Sequence, residues 1–532
     1  MFRLTTLAAT VAASFGAHAA LYNVYLQAPE GASTSRQTYG VAVTPETNKC
    51  WTSACSENTS NMAVEVKNYR EGFKYRDESP FFIPFGFDYL DDGDDWTGFR
   101  NYCSNLLGYT RVLCDEWATA QYTNGYAIEK SGNYQGSLTY IDTNQVYGEN
   151  SVINSLTKSG VTVEAIGSRR TGTSRSVAFN QAISGVDLPL ASNKESRAWD
   201  SVEFDNGSGN ATYTVGSVST AYAGSSISNN SNAAIWKDNV LEATIGWDGG
   251  AVNGNYLAQG SARDITVFNS KLYAVGYNSA SDVRFTASVF ESSDGSSWTK
   301  RSVTGFPYAL TEYASQSLHT VNENGIAVGS AKLNQALNGA YANTLFYVDD
   351  LNNPTYKALS GGIFFSGVNG QVGAINNSND LVGTIDYETS KEINGRPRAK
   401  RAFIVNLGAS AHSNNNPAPL GGQARYLDDL TSGDGATQNN NQFRIIEAAD
   451  INDAGVIAAT AYYCAGGYDS EAVNAACSTD ATLVGVKLVP IAGQTAADIT
   501  PRPVVQSTIS RQGGSLGLIL LTVLGFIGLR RK

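Results

Sequence analysis

The chain is poor in histidine, charge and long apolar runs. It has three histidines in 532 residues, and charged residues make up 16%. One histidine, His18, lies in the leading apolar segment, so His319 and His412 serve the remainder. A His-rich zinc site is excluded on that count, and a Ser-His-Asp arrangement would have to use one of those two rings. Basic residues number 37 against 48 acidic, a net charge of −11, with no long basic face, which argues against a nucleic-acid partner. The run Arg396-Pro397-Arg398-Ala399-Lys400-Arg401 lies between two expected strands and reads as a solvated loop. Six cysteines fall as close neighbours, Cys50/Cys55, Cys103/Cys114 and Cys464/Cys477. That spacing favours three local disulfides over metal ligation and leaves no thiol nucleophile, although six cysteines allow 15 connectivities.

What the chain does have is a phrase that recurs. It reads Val321-Asn322-Glu323-Asn324-Gly325-Ile326-Ala327-Val328-Gly329-Ser330, followed by the strand-like Thr344 to Val348. Copies stand at Phe268-Asn269 to Gly276, Ile375-Asn376 to Thr384, and Ile451-Asn452 to Thr460, each followed by an apolar strand. Asn and Asp bond their own backbone in turns and Gly supplies positive φ, so each phrase is a turn leading into a short buried strand. Gly276, Gly329 and Gly383 are expected to allow close strand packing rather than to hold phosphate. The repeated Asn has a second reading, a ligand or metal contact repeated along one rim. Successive copies start 53, 54 and 76 residues apart, the last gap holding extra polar sequence; a period of about 50 is that of propeller blades, in which no single sheet buries its faces alone. Looser copies stand at Val163 to Ser168 with Ser176 to Phe179, and at Tyr213 to Ser217 with Ala233 to Trp236.

The expected fold is all-β: a propeller-like array of about six or seven blades with a small disulfide-bearing helical insertion near the N-terminus and a C-terminal transmembrane helix. The segments are read as 1–19 signal peptide, 20–44 first strands of the repeat domain, 45–150 cysteine-containing insertion, 151–489 β-repeat domain, 490–512 linker and 513–532 tail. Arg3, the apolar Leu4 to Gly16 and the small-x-small Ala17-His18-Ala19 form an export signal for signal peptidase. Leu21 to Gln27 alternates as a strand and is expected to pair near Leu483 to Val489. Within the insertion, Asp94 or Asp95 caps a short helix running to Leu107, and a second helix spans Arg111 to Tyr122. The acidic cluster Asp88, Asp91, Asp92, Asp94 and Asp95 has two readings: solvated or helix-capping acid, and a calcium loop that lacks the closing Glu of an EF-hand. No other cofactor is expected. Ser292 to Trp298 is an Asp-Gly hairpin similar to the Asp-box turn of secreted propellers.

The tail is Gly513-Gly514-Ser515, an apolar Leu516 to Leu529, then Arg530-Arg531-Lys532. It resembles the GlyGly-CTERM sorting signal of Gram-negative bacteria. The resemblance implies cleavage near the glycine pair by a rhombosortase-type membrane protease and delivery to the cell surface or medium, often by type II secretion. Gly513-Gly514-Ser515-Leu516-Gly517 also matches a nucleophile-elbow string, but it lacks the preceding strand. Through Asn322 to Ser330 with Phe346, and Asn376 to Thr384 with Ala402-Phe403, the body resembles the HAF family of extracellular repeats, a family to which no catalytic residue can be traced. The expected function is therefore a surface-displayed or secreted β-repeat protein that binds a glycan or a surface protein, or plays a structural part, without catalysis. The alternative is a secreted polysaccharide hydrolase, since two close carboxylates suffice for that chemistry.

Overall fold

The computed structural model describes residues 19–29, 37–67, 95–105, 109–183, 187–189, 195–207, 209–221, 223–224, 229–391 and 398–504. The chain is mostly β-sheet with few helices. Its strands follow one another in antiparallel sheets, here numbered in chain order. Sheet one joins Gln37–Val43, Met62–Lys67, Ser137–Ile141 and Asn144–Tyr147. Sheet two joins Val152–Ser159, Thr162–Thr171 and Ser174–Asn180, and sheet three Ser196–Asp205, Asn210–Ala221, Asn229–Lys237 and Val240–Ile245. Sheets four (Gly260–Phe268, Lys271–Ser279, Phe285–Ser292, Thr299–Ser302) and five (Tyr313–Val321, Ala327–Leu333, Asn343–Val348, Lys357–Ala358) touch through a single parallel pair, Phe285 with Ser315. Sheet six joins Gly370–Ile375, Asp380–Asp386, Lys400–Asn406 and Arg425–Tyr426. Sheet seven joins Phe443–Ile451, Ile457–Tyr463 and Thr482–Pro490, and its fourth strand comes from the other end of the chain: Tyr22–Gln27 pairs Thr482–Pro490 from Tyr22/Pro490 to Gln27/Gly485. That is the pairing expected for Leu21 to Gln27.

The opening strand of each sheet lies against the opening strand of the next, and that of sheet one lies against that of sheet seven. Apolar side chains from neighbouring sheets fill the space between them. Ile235 and Val215 of sheet three meet Ala262 and Ile265 of sheet four, and Val382 and Ile404 of sheet six meet Ile445 and Ala459 of sheet seven. A pleated sheet with two apolar faces survives only when both are covered in this way.

Every opening strand carries a β-bulge, and in sheets two to six a glycine on the second strand stands opposite it. A Cβ on Gly276 would lie 2.0 Å from the Ser261 carbonyl oxygen, one on Gly329 2.2 Å from that of Ser317, and one on Gly383 2.3 Å from that of Gln371. The glycines are there for close strand approach, as their place in the phrase suggested.

Residues 45–150 hold more sheet than expected. Three strands of sheet one come from this stretch, so the helical part is confined to its middle. There, Trp96–Asn105 and Arg111–Ala118 form a helical hairpin closed by Cys103–Cys114, and a wider-turned helix continues through Thr119–Tyr126 to Ala127–Lys130. Asp95 caps the first helix, its Oδ1 accepting the N–H groups of Thr97 at 2.8 Å and Gly98 at 3.1 Å. At the other end, part of the expected 490–512 linker is fixed rather than extended. The Arg502 guanidinium is buried, donating through Nε to the Asp428 carbonyl at 2.9 Å and through an NH1 hydrogen to that of Glu471 at 2.9 Å.

The expected solvated basic run is also corrected. Among its described residues, Arg398 is fully enclosed and faces Asp386 at 3.2 Å, and Arg401 lies 3.0 Å from Asp428. Both guanidinium groups turn inward toward carboxylates. The Arg401–Asp428 contact is close but poorly aligned for a hydrogen bond, so it acts as an ion pair.

Candidate functional site

The repeated asparagines form a connected series. In sheet five the Asn322 Oδ1 accepts the N–H groups of Asn324 and Ile326, both at 3.1 Å, which closes the turn. Its Nδ2 is left to reach sideways, and it donates to the Asn376 carbonyl at 2.9 Å. Asn376 repeats this on Ser378 and Asp380 and donates to the Asn452 carbonyl at 3.1 Å. Asn452 does the same on Ala454 and Val456 and donates to the Thr44 carbonyl of sheet one at 2.9 Å. Each amide is therefore both turn-former and bridge between sheets.

The copy at Phe268-Asn269 behaves differently. Its hairpin is longer, and Asn269 and Ser270 sit at φ +49° and +58° in a two-residue turn beyond the sheet edge. Counted from the bulge, Thr266 rather than Asn269 stands in sheet four where Asn322 stands in sheet five.

The bulges bring polar groups inward. Asp264 follows the bulge of sheet four; its Oδ1 accepts the Ile265 N–H at 2.7 Å and its Oδ2 the Val321 N–H of sheet five at 2.8 Å. Asp450 does the same in sheet seven, on Ile451 at 2.8 Å and on Val43 of sheet one at 2.8 Å. Asp200 of sheet three hydrogen-bonds Asp264 and takes the Ser201 and Ile265 amides. Asp200, Asp264, Asp450 and His319 all leave opening strands and are half-buried where those strands lie against one another, a region we call the inner cleft. Burial raises both carboxyls of the Asp200–Asp264 pair, Asp264 further because the Asp200 charge adds to it. Burial, with a smaller push from the Asp200 charge, carries Asp450 up to about 6. His319 Nε2 hydrogen-bonds Ser330 Oγ at 2.9 Å, and burial followed by the Arg263 charge pushes its pKa down to about 3. Arg263 itself stacks on the Trp199 ring at 3.7 Å.

A second concave region lies between the outer strands of sheets five and six. It is a groove of about 620 Å³ bordered by Tyr347, Arg425, Tyr426, Asp429 and glycine-containing loops. The Arg425 Nε donates to the Leu420 carbonyl at 3.3 Å, and its terminal nitrogens make no hydrogen bond among the described residues. Asp429 Oδ1 accepts the Arg502 N–H at 2.9 Å, and Oδ2 accepts none among the described residues. Burial carries the Asp429 carboxyl up to about 6. No motif marks this groove in the sequence, because its residues come from four strands and loops spread over Tyr347 to Asp429.

All three disulfides are formed between the neighbours: Cys50–Cys55, Cys103–Cys114 and Cys464–Cys477. Asp294 of the hairpin at Ser292 to Trp298 accepts the N–H groups of Ser296 at 2.9 Å and Ser297 at 2.7 Å, as a structural turn requires. Those amides hold its carboxyl well below the usual range. His412 pairs with Glu323 at 2.8 Å in a polar loop and lies on a different element from the inner cleft. Ala19 forms an isolated bridge with Asp434 at the start of the described chain. Asp88, Asp91, Asp92, Asp94, Gly513, Gly514, Ser515, Arg530 and Arg531 lie outside the described residues, as does the expected transmembrane helix. Among the described residues, no helix is long and apolar enough to cross a membrane, and no cluster of acidic, His or Cys side chains has a metal-holding arrangement.

Residues 253–532 match the family described as "Protein of unknown function (DUF3466)", and the chain belongs to that family. No curated protein matches it. Among solved structures, it is similar to a glycoside hydrolase at 10% identity, covering 60% of this chain and 92% of that one with a TM-score of 0.25. A thermostable family-43 glycoside hydrolase matches at 10% identity over 62% and 99% of the two chains with a TM-score of 0.25. An endo-arabinase from Bacteroides thetaiotaomicron matches at 9% identity over 55% and 93%, with a TM-score of 0.23. At such scores these likenesses bear on neither fold nor activity.

Proposed function

We propose that this chain is an exported, propeller-like protein of the bacterial envelope that binds or scaffolds without catalysis. The seven sheets, with the first strand of the chain closing the last sheet, are read as the blades. The observation that carries the non-catalytic reading is the commitment of the Asp200–Asp264 pair. A retaining or inverting glycosidase needs two carboxyl groups set on either side of a bound sugar. Here the two carboxyls bond each other, and both are occupied by backbone amides that join neighbouring sheets.

Export is supported by the three disulfides, which persist in oxidising compartments. Under this reading residues 1–19 are removed by signal peptidase. Residues 513–532 anchor the chain briefly in the inner membrane until a rhombosortase-type protease cuts near Gly513 and Gly514, with type II secretion completing delivery. The body resembles HAF-type repeats and carries a glycan or surface-protein ligand.

The test has two arms. The purified mature protein is incubated with a panel of polysaccharides, and new reducing ends are measured; none are expected, and sugar release abolished by Asp264→Asn would establish the hydrolase instead. In cells of the source bacterium, Gly513→Ala with Gly514→Ala is expected to hold the protein at the inner membrane, and unchanged release would refute the sorting assignment.

A further inference from the structure

The groove between sheets five and six has the composition of a saccharide site. It carries two tyrosine rings, Tyr347 on the third strand of sheet five and Tyr426 on the fourth strand of sheet six. Tyr426 is held in place edge-on by Tyr387, with ring centroids 5.3 Å apart. Such rings offer flat apolar area at little entropic cost. Between them stand one guanidinium and one carboxylate with hydrogen-bonding capacity to spare. Arg425 is oriented by the Leu420 carbonyl through Nε, which leaves its terminal nitrogens as donors. Asp429 is oriented by the Arg502 amide through Oδ1, which leaves Oδ2 as an acceptor.

A ligand matching this set must accept from Arg425 and donate to Asp429. Hydroxyl groups do both. The two charges largely cancel locally, so the groove favours neither a polyanion nor a polycation. A volume of about 620 Å³ falls within the range of small-ligand clefts. The inner cleft is a poorer candidate, because its carboxylates are consumed in joining sheets.

We propose that this groove binds a neutral oligosaccharide segment, with Tyr347 and Tyr426 against sugar faces and Arg425 and Asp429 on adjacent hydroxyls. The assignment rests on the binding reading above and adds the place and the ligand class. The Asp429 carboxyl is carried up to about 6 by burial and the Asp428 charge, against the Arg502 amide and the Arg502 and Arg425 charges, so binding is expected to weaken as the pH falls from 7.5 to 5.

The experiment is affinity electrophoresis of the mature protein in native gels containing dextran, laminarin or galactomannan as neutral probes, and alginate or chitosan as charged ones. Retardation by at least one neutral probe is expected. It should fall tenfold or more in Tyr426→Ala and in Arg425→Ala, and Asp429→Asn, which keeps an oxygen for the Arg502 amide, should weaken it and remove its pH dependence. Unchanged melting temperatures confirm that the variants fold. Retardation that persists in all three variants overturns the site and leaves the binding reading standing. Retardation by charged probes alone overturns the ligand class. Failure with every probe overturns both.

Discussion

The side-chain amide of Asn376 donates to the backbone carbonyl of Asn452, 76 positions further along the chain, at 3.1 Å. The contact lies between two sheets, and an identical one joins Asn322 to Asn376 at 2.9 Å. A residue chosen for its turn geometry thus also sets how neighbouring sheets are spaced.

Replacing Asn376 with Ala removes two acceptor contacts and one donor contact at a buried position and strands two backbone amides, those of Ser378 and Asp380, while the Asn452 carbonyl keeps the Gly455 N–H. Stranded buried groups cost about 1–3 kcal/mol each, so a loss of about 2 kcal/mol or more is expected. Asn269→Ala, in the turn beyond the edge of sheet four, removes only a preference for positive φ and should cost about 1 kcal/mol. Urea unfolding of the two variants checks the contrast, and equal losses would mean the bridging contact is worth nothing.

Gly276→Ala is expected to be among the most damaging single-atom additions in the chain. The new Cβ would press on the Ser261 carbonyl oxygen, a backbone atom of a paired strand that cannot swing away. Overpacking against flexible side chains costs about 1–3 kcal/mol, and a rigid neighbour puts this case at the upper end or beyond. Gly305→Ala, with nothing nearer than 3.9 Å but φ at +75°, should cost about 1 kcal/mol. Thermal melts of both proteins measure the difference.

These two cases show what was legible in the residues. Strands, turns and the need for a small residue after each turn follow from local chemistry, and so did the three disulfides, whose partners lie close in sequence. The pairing of Tyr22–Gln27 with Thr482–Pro490 was also legible, from the alternation of the first strand and the need to complete the last sheet. What could not be read was anything set by the contact between sheets. The Asp264 carboxylate is an inner staple because a bulge turns it toward Val321, and Arg398 is buried because the Asn338 carbonyl beside sheet five joins Asp386 and the Gly367 carbonyl in receiving it. A bulge is one extra residue with no signature of its own. The Tyr347–Asp429 groove was missed for the same reason, since its four polar and aromatic residues meet across two sheets.

His319 offers a pH test with a definite sign. The folded chain keeps its imidazole neutral down to about pH 3, through burial and the Arg263 charge, whereas in the unfolded chain it titrates near 6.5. As the pH falls below about 6.5 the unfolded state takes up a proton that the folded state refuses. The stability contribution is therefore complete above about 6.5 and is lost toward 3, at about 1.4 kcal/mol per pH unit. His319→Gln retains a partner for Ser330 and does not titrate. Between pH 7.5 and 5.0 the wild type should lose about 2 kcal/mol relative to the variant in urea unfolding. Parallel pH profiles would show that the imidazole is protonated in the fold.

The loop closed by Cys464–Cys477 does more than limit the unfolded chain. Inside it, the carbonyls of Ser470 and Ala472 accept from the Arg444 guanidinium at 3.0 and 2.9 Å, and Tyr468 covers the same guanidinium at 4.2 Å. Arg444 is one of the largest fully buried side chains, and burial has already lowered its pKa to about 10. Cutting the disulfide removes loop-closure restraint worth about 3 kcal/mol for a loop of this length. It also frees the carbonyls that keep the buried cation solvated. Cys464→Ser with Cys477→Ser is therefore expected to lose more than the 3 kcal/mol of chain entropy. In the background of Arg444→Met, which removes the charge that needs those carbonyls, the same double substitution should lose only about 3 kcal/mol. A double-mutant cycle by urea unfolding measures the coupling, and a coupling energy of zero would show that the disulfide acts on the unfolded chain alone.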